Sequence, residues 1–147
     1  MKKYVIIMCG GAGKTTLYEK YSDIFLDIDH FIWNSNKIYR EQLSKYLEIG
    51  DIKNISKLYR NIMKFDKELR NDTRIILTHH PDNAKDLNRK ILDIIRPSEE
   101  LHLINIQNRD KIHKQFSIND FHELTKYIPY EYSTYEELEK RVLHYVL

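Results

Sequence analysis

A glycine-rich segment near the start of the chain constrains the fold more than any other feature. An apolar run over residues 4–8 leads into Cys9-Gly10-Gly11-Ala12-Gly13-Lys14-Thr15-Thr16. Glycines allow successive backbone N–H groups to turn inward and form a concave nest for anionic oxygens. A helix that begins near Lys14 would point its positive end at the same nest. The segment therefore predicts a strand, a phosphate-binding loop and a helix, which together form a P-loop.

The residues of this loop indicate a nucleoside triphosphate with Mg²⁺ as the ligand. Lys14 is expected to reach the β- and γ-phosphates, and the Thr15 hydroxyl is expected to bind the metal ion. The full pattern has glycine where this chain has Met8, which is compatible if the first strand simply runs one residue further. An incidental glycine turn is the alternative, but three of the four glycines of the chain lie here. The predicted nucleotide-binding residues are Gly10, Gly11, Ala12, Gly13, Lys14, Thr15 and Thr16.

The composition is that of an ordinary globular protein, and we expect one domain over residues 1–147. A formal net charge of +2 gives no strong case for a duplex-binding surface. The single cysteine excludes a disulfide within the chain and favours an intracellular, cytoplasmic protein. No apolar run approaches membrane-spanning length, so no membrane partner is expected. Heavy use of Ile, Lys, Asn and Tyr is associated with AT-rich genomes, including those of viruses of low-GC bacteria. The oligomeric state stays open.

Apolar periodicity predicts alternating strands and helices. Strands are expected at residues 3–8, 24–29, 73–78, 101–104 and 127–132, and helices at 14–21, 39–47, 52–69, 87–95, 108–114 and 135–145. The helix that begins at 108 could continue to 124. Such alternation indicates an α/β fold with a mostly parallel sheet covered by helices on both faces.

Two aspartates follow the apolar part of the predicted second strand. Asp27 and Asp29 are two residues apart, so on a strand their side chains would share one face. They would lie at the carboxyl end of the strand, where α/β sheets bind ligands. One carboxylate could hold Mg²⁺, for which we name Asp27 with Thr15, and the other could accept or orient the proton of an attacking hydroxyl. Alternatively, either aspartate caps the following helix.

The P-loop followed by Phe25-Leu26-Asp27-Ile28-Asp29 resembles the small P-loop kinases. These include nucleoside monophosphate, shikimate and gluconate kinases and the phage polynucleotide and DNA-base kinases. The resemblance implies a three-layer P-loop fold with a five-stranded parallel sheet in the order 2-3-1-4-5. It also implies a short lid before strand five, with ATP and Mg²⁺ as cofactors. Lys14 and Thr15 would take the phosphate and metal roles, and Asp27 and Asp29 the acceptor and metal roles.

Arg109 is the clearest candidate for a lid arginine, which in such kinases neutralises charge on the transferring phosphoryl group. The alternative is a solvated charged helix face. Strand three, which ends in Thr78-His79-His80, lacks the acidic residue that many P-loop proteins use to hold Mg²⁺ through water. This departure fits kinases that place their acid on strand two. Other residues weighed for substrate contact are Arg40, Arg60, Arg96, Trp33, Thr78 and the two histidines.

The sequence thus predicts an ATP- and Mg²⁺-dependent phosphotransferase whose catalytic residues are Lys14, Asp27, Asp29 and Arg109. The predicted acceptor is a nucleoside or nucleotide. A second possibility is a hydroxyl on DNA, at a 5′ end or on a modified base. A third is a nucleotide-binding regulatory protein without turnover.

Overall fold

A five-stranded, fully parallel sheet forms the centre of the protein in a computed structural model, which describes residues 3–146. The strands are β1 (Tyr4–Met8), β2 (Phe25–Asp27), β3 (Ile75–Thr78), β4 (Lys90–Pro97) and β5 (Tyr130–Tyr132), in the spatial order β2-β3-β1-β4-β5. The predicted sheet and its strand order are therefore confirmed.

Helices surround the sheet and connect its strands. They are α1 (Lys14–Lys20), α2 (Ile28–Asn34), α3 (Lys37–Ile49), α4 (Ile52–Phe65), α5 (Lys67–Asn71), α6 (Asp82–Leu87), α7 (Glu99–Ile106), α8 (Lys111–Glu123) and α9 (Tyr135–Leu143), with a 3-10 turn at Leu124–Tyr127. Four consecutive helices lie between β2 and β3, and two lie between β4 and β5. Within residues 3–146, no helix has the length and apolar character needed to cross a lipid bilayer.

The central strand β1 anchors the loop that follows it. Val5, Ile6, Ile7 and Met8 are fully buried, as expected for a parallel strand between two neighbours with both faces covered. Complete burial of each such side chain stabilises the fold by about 1.5–3 kcal/mol. The carboxyl end of β1 is therefore a rigid base from which the glycine-rich loop departs.

The expected helix at 87–95 and strand at 101–104 were wrong, because strand and helix exchange places in this region. Helix α6 ends at Leu87, where Asn88 adopts a left-handed conformation, and the chain then forms β4. The apolar residues of β4 fit a helical or a strand periodicity equally well. Parallel pairing with β1 makes this segment a strand. Ser98 caps α7 by accepting a hydrogen bond from Leu101 N–H, and Glu99 and Glu100 occupy the first helical turn.

The second strand is shorter than predicted. It ends at Asp27, and Ile28 already begins α2, so Asp27 and Asp29 do not share a strand face. Asp27 is the N-cap of α2 and accepts a hydrogen bond from Asp29 N–H at 3.0 Å. The capping alternative therefore applies to Asp27, and Asp29 lies in the first turn of the helix. The competing preference that shortened the strand is this local carboxylate–backbone bond.

Candidate functional site

The glycine-rich loop has the backbone that its sequence predicted. Gly11 and Gly13 adopt φ values of 82° and 91°, a region that glycine enters without steric cost. A Cβ atom on Gly11 would also lie 2.6 Å from Ile106 Cγ2 of α7. Met8 belongs to β1 and does not have positive φ. Glycine is therefore not needed at this position, because the first strand runs one residue further, as expected.

Three successive carbonyl groups of the loop are held by side chains from the far end of the chain. The bonds run from His102 Nε2 to the Gly10 oxygen (2.8 Å), from Asn105 Nδ2 to the Gly11 oxygen (2.8 Å) and from the Tyr132 hydroxyl to the Ala12 oxygen (2.5 Å). Because a carbonyl can only accept, His102 carries its proton on Nε2. Burial lowers the pKa of His102, which keeps the ring neutral. These bonds engage the carbonyls from outside and fix the loop's shape.

Lys14 lies beneath the loop at the start of α1. Its side chain is buried, and Nζ donates to the carbonyl oxygens of Met8 and Cys9 at 3.3 and 3.2 Å. Gly13 is the N-cap of α1, so the free N–H groups of the first helical turn follow the loop directly. Burial raises the pKa of the Cys9 thiol to about 12, so this cysteine stays protonated and serves as a small core residue.

Asp27 connects the loop to the second strand. The Thr15 hydroxyl donates to Asp27 Oδ2 at 3.3 Å, while Oδ1 accepts from the backbone of Asp29. The Asp27 side chain is 2 % exposed. Burial, assisted by the neighbouring Asp29 carboxylate, raises the pKa of Asp27 above its usual range. A hydroxyl and a carboxylate oxygen at hydrogen-bond distance are ligands that suit Mg²⁺.

Asp29 is held by two donors on the same oxygen. The Tyr59 hydroxyl and His79 Nε2 lie 2.7 and 3.0 Å from Oδ1, whereas none of these bonds involves Oδ2. Burial opposes ionisation, but the facing imidazole and the two hydrogen bonds outweigh it and hold the pKa of Asp29 below the ordinary aspartate range. Asp29 is therefore ionised at neutral pH, with 35 % of its side-chain surface exposed.

Asp120 on α8 is the second carboxylate near His79, after Asp29. The imidazole Nδ1 lies 3.9 Å from Asp120 Oδ2 and makes no hydrogen bond to any residue within 3–146. Burial raises the pKa of Asp120. Over the described part of the chain, no three His, Cys, Asp or Glu side chains are arranged to hold a metal ion by themselves. A metal ion here would therefore need ligands from Thr15 and from a bound phosphate as well.

A cavity of about 750 Å³ joins these groups. One part of its wall is formed by the loop and the start of α1, where Gly10, Gly11, Gly13, Lys14, Thr15 and Thr16 line it. Asp29, His79 and Asp120 also line the cavity, and residues of α3 and α4 form a further part of its wall. The volume is within the range of small-molecule sites, which are commonly about 300–1,000 Å³. The predicted loop residues and Asp29 thus meet at one cavity. Asp27 contacts Thr15 at its edge.

Arg109 lies over the loop, although its local structure differs from the expected helix. It sits in the turn between α7 and α8 and donates from Nη1 to Ser117 at 3.0 Å. The same nitrogen would lie 3.3 Å from a Cβ placed on Gly10. Arg109 also lines the cavity, next to the glycine-rich loop.

Two further arginines that were weighed for substrate contact have structural partners. Arg96 is buried, stacks on Phe121 and donates to its carbonyl oxygen at 2.7 Å. Arg60 donates from Nε and Nη2 to the two carboxylate oxygens of Asp86 at 3.0 and 3.2 Å. Both guanidinium groups are therefore already hydrogen-bonded to other parts of the protein.

Tyr59 and Asp120 were not singled out from the sequence. Tyr59 is one of the apolar-face residues of a long amphipathic helix, and nothing local separates it from core tyrosines. Asp120 lies within a helix whose charged residues indicate a solvated face. Only their contacts with Asp29 and His79 distinguish them, and those contacts join segments far apart in sequence.

Comparison with solved structures supports the fold. Shikimate kinase from Bacteroides thetaiotaomicron is similar with a TM-score of 0.56 over 90 % of this chain and 86 % of that one, at 16 % identity. A sugar kinase from a Janibacter species is similar with a TM-score of 0.48 over 82 % and 78 %, at 15 % identity. The chain therefore has the fold of shikimate kinase. No family model and no curated protein matches its sequence.

Proposed function

We propose that this protein is an ATP- and Mg²⁺-dependent phosphotransferase that moves the γ-phosphoryl group to a hydroxyl of a nucleoside or nucleotide. The observation that carries the proposal is the orientation of Asp29. Two donors occupy its Oδ1, while Oδ2 makes no hydrogen bond within residues 3–146, and the side chain lines the cavity that begins at the P-loop. A carboxylate so fixed can orient an attacking hydroxyl toward a phosphate in the loop.

The residues present fit the nucleotide and the metal ion. Gly11 and Gly13 have the positive φ values with which a glycine-rich loop can turn successive N–H groups toward an anion. Lys14 and Arg109 would neutralise charge on the phosphates. Thr15 and Asp27 would hold Mg²⁺, which would supply further charge neutralisation at the phosphates.

The low pKa of Asp29 is compatible with this role. Phosphoryl transfer proceeds through a loose transition state, so the protein contributes mainly positioning and charge neutralisation. A strong base is not needed, because the hydroxyl proton leaves late. Asp29 therefore acts by aligning the hydroxyl and receiving its proton as the new P–O bond forms.

The test is a transfer assay with γ-labelled ATP and Mg²⁺. Nucleosides, nucleoside monophosphates, small hydroxy acids, and single- and double-stranded DNA with and without modified bases serve as acceptors. We expect label in one class of acceptor, and Lys14→Ala should reduce its transfer at least about 100-fold. Lys20→Ala, on the same helix but paired with Glu139 away from the cavity, should leave the rate unchanged.

Two outcomes would contradict the proposal. Micromolar ATP binding without transfer to any acceptor would indicate a nucleotide-binding regulatory protein instead. Transfer that survives in Lys14→Ala would show that the P-loop is not the donor site. Label in DNA alone would keep the phosphotransferase and change its acceptor.

A further inference from the structure

The part of the cavity wall that comes from α2, α3 and α4 is largely apolar. We call this the acceptor end and define it by Trp33, Leu43, Leu47, Ile55, Tyr59 and Met63, which come from α2, α3 and α4. Leu43, Ile55 and Met63 are buried core residues, so the wall is fixed by the packing behind it. Such a surface binds a flat or aliphatic body by removing it from water.

The lysine and arginine side chains near the cavity are not available at the acceptor end. Lys14 and Arg109 lie at the P-loop. Arg60 is held by both oxygens of Asp86, whose side chain is 3 % exposed. Lys64 lies 4.0 Å from the same carboxylate, at the limit of an ion pair and beyond hydrogen-bond distance, so Arg60 is the main partner of Asp86. If Arg60 moved to a substrate anion, it would leave a buried carboxylate poorly paired, which is costly.

Anionic groups, in contrast, border the route from the P-loop to the acceptor end. Asp29, Asp82 and Asp120 all line the cavity. His80 does not offset them, because its Nδ1 accepts the Asp82 N–H at 3.0 Å and the ring is neutral in that arrangement. An acceptor that carried a phosphate or carboxylate would meet these carboxylates without a guanidinium to receive it.

We propose that the acceptor is an uncharged nucleoside, bound with its ring against the apolar wall and a hydroxyl at Asp29. This inference rests on the proposed function and narrows its acceptor. The Ser56 hydroxyl and the Asn83 carboxamide line the same cavity and offer neutral hydrogen-bonding groups for a base. In the reaction, the bond between the γ-phosphorus and the bridging oxygen breaks and ADP leaves. A bond forms to the nucleoside oxygen, whose proton passes to Asp29.

The test compares acceptors that differ only in charge. Thymidine and adenosine are offered beside their 3′-monophosphates, which keep the 5′-hydroxyl, and beside their 5′-monophosphates. We expect kcat/KM for the nucleosides to exceed that for each monophosphate at least about tenfold. Equal or better use of a monophosphate, or exclusive use of a hydroxy acid or of DNA, would overturn the inference while leaving the phosphotransferase intact.

A variant pair tests the wall itself. Leu47→Ala removes part of the apolar surface and should raise KM for the nucleoside about tenfold without changing ATP affinity. Ile38→Ala, on the same helix but 62 % exposed and away from the cavity, is the matched control and should change neither. Unchanged KM in a folded Leu47→Ala protein would place the acceptor elsewhere and refute the assignment.

A binding measurement separates this inference from the proposed function. Calorimetry with a non-hydrolysable ATP analogue and Mg²⁺ measures nucleoside and monophosphate affinity without any transfer. Preferential binding of the nucleoside, weakened by Leu47→Ala, would support the proposed class of ligand even if no phosphoryl group is transferred. The absence of transfer would then refute only the catalytic function. Absence of nucleoside binding together with absence of nucleoside phosphorylation would overturn the inference.

Discussion

The Tyr59 hydroxyl donates to Asp29 Oδ1 at 2.7 Å and thereby ties helix α4 to the start of α2. Since burial and the Asp29 carboxylate raise the pKa of Tyr59 well above its usual value, this hydroxyl remains a donor at neutral pH. The ring borders the acceptor end and the oxygen orients Asp29, so one side chain serves both packing and alignment.

Tyr59→Phe should lower kcat by about 10- to 100-fold while KM for ATP stays constant. The change deletes one hydrogen bond to a charged group, worth about 1.5–3 kcal/mol, and keeps the ring. Steady-state kinetics with the identified acceptor measures the effect. Tyr39→Phe is the control, because the Tyr39 hydroxyl donates to Asp66 outside the cavity at 2.5 Å. Equal kinetic losses in both variants would mean that the effect is structural.

Asp27→Asn should lower the rate of phosphoryl transfer at least about 100-fold and leave the affinity for ATP nearly unchanged. Asparagine caps a helix as well as aspartate does, so α2 should keep its start. The variant should also be as stable as the parent or more stable at pH 7. An aspartate whose folded pKa is raised loses stability as the pH rises above about 3.9, the unfolded value, and asparagine avoids that loss.

Labelled transfer, calorimetry with ATP and thermal unfolding at several pH values check these three expectations for Asp27→Asn. The stability gain should vanish in acid, where the parent carboxyl is protonated. Full turnover in the variant would remove Asp27 from the metal and acceptor roles. A loss of stability at pH 7 would show that its charge is needed for folding.

Gly11→Ala should destabilise the protein more than Gly50→Ala. Both glycines have positive φ, which costs a residue with a Cβ about 1–2 kcal/mol. At Gly50 the atom nearest to an added Cβ would be 3.4 Å away, whereas at Gly11 it would be 2.6 Å away. Urea unfolding measures the difference, and ATP affinity should fall only in Gly11→Ala. Equal losses in the free energy of unfolding at the two sites would mean that α7 moves away from the added Cβ at little cost.

Met8→Gly restores the general P-loop pattern but should lower the free energy of unfolding. Met8 is fully buried, so its removal leaves a cavity and costs about 2–5 kcal/mol or more. Met8→Leu, which conserves volume, should cost less than about 1.5 kcal/mol. Chemical unfolding and ATP titration of both variants test this. Tighter ATP binding in Met8→Gly would show that the strand residue impairs the loop.

The P-loop and the sheet order were accessible from sequence because each is fixed by local signals or by the family resemblance. Glycines, lysine and threonine specify the loop within nine residues, and the resemblance supplied the order 2-3-1-4-5. The identities of β4 and α7 were not accessible, since short apolar runs fit both periods and caps such as Ser98 decide between them.

The candidate site was predictable only where it is local. Lys14, Thr15 and the two aspartates lie in or near recognisable motifs, and the structure brings them to one region. The partners of Asp29 come from α4 and from the end of β3, 30 and 50 residues away in sequence. Their types are common in cores and on surfaces, so no spacing rule identifies them. Arg109 was named because the family resemblance implies a lid arginine before strand five, and the structure places it in the lining of the cavity.

The bonds to the carbonyls of Gly10, Gly11 and Ala12 also bear on when the protein becomes functional during its synthesis. Their donors are encoded 92, 94 and 120 residues later. A nascent chain that has emerged only through β3 contains the whole glycine-rich motif but none of the side chains that shape it. Nucleotide affinity should therefore appear only after α7 and β5 leave the ribosome, well after the motif itself has been made.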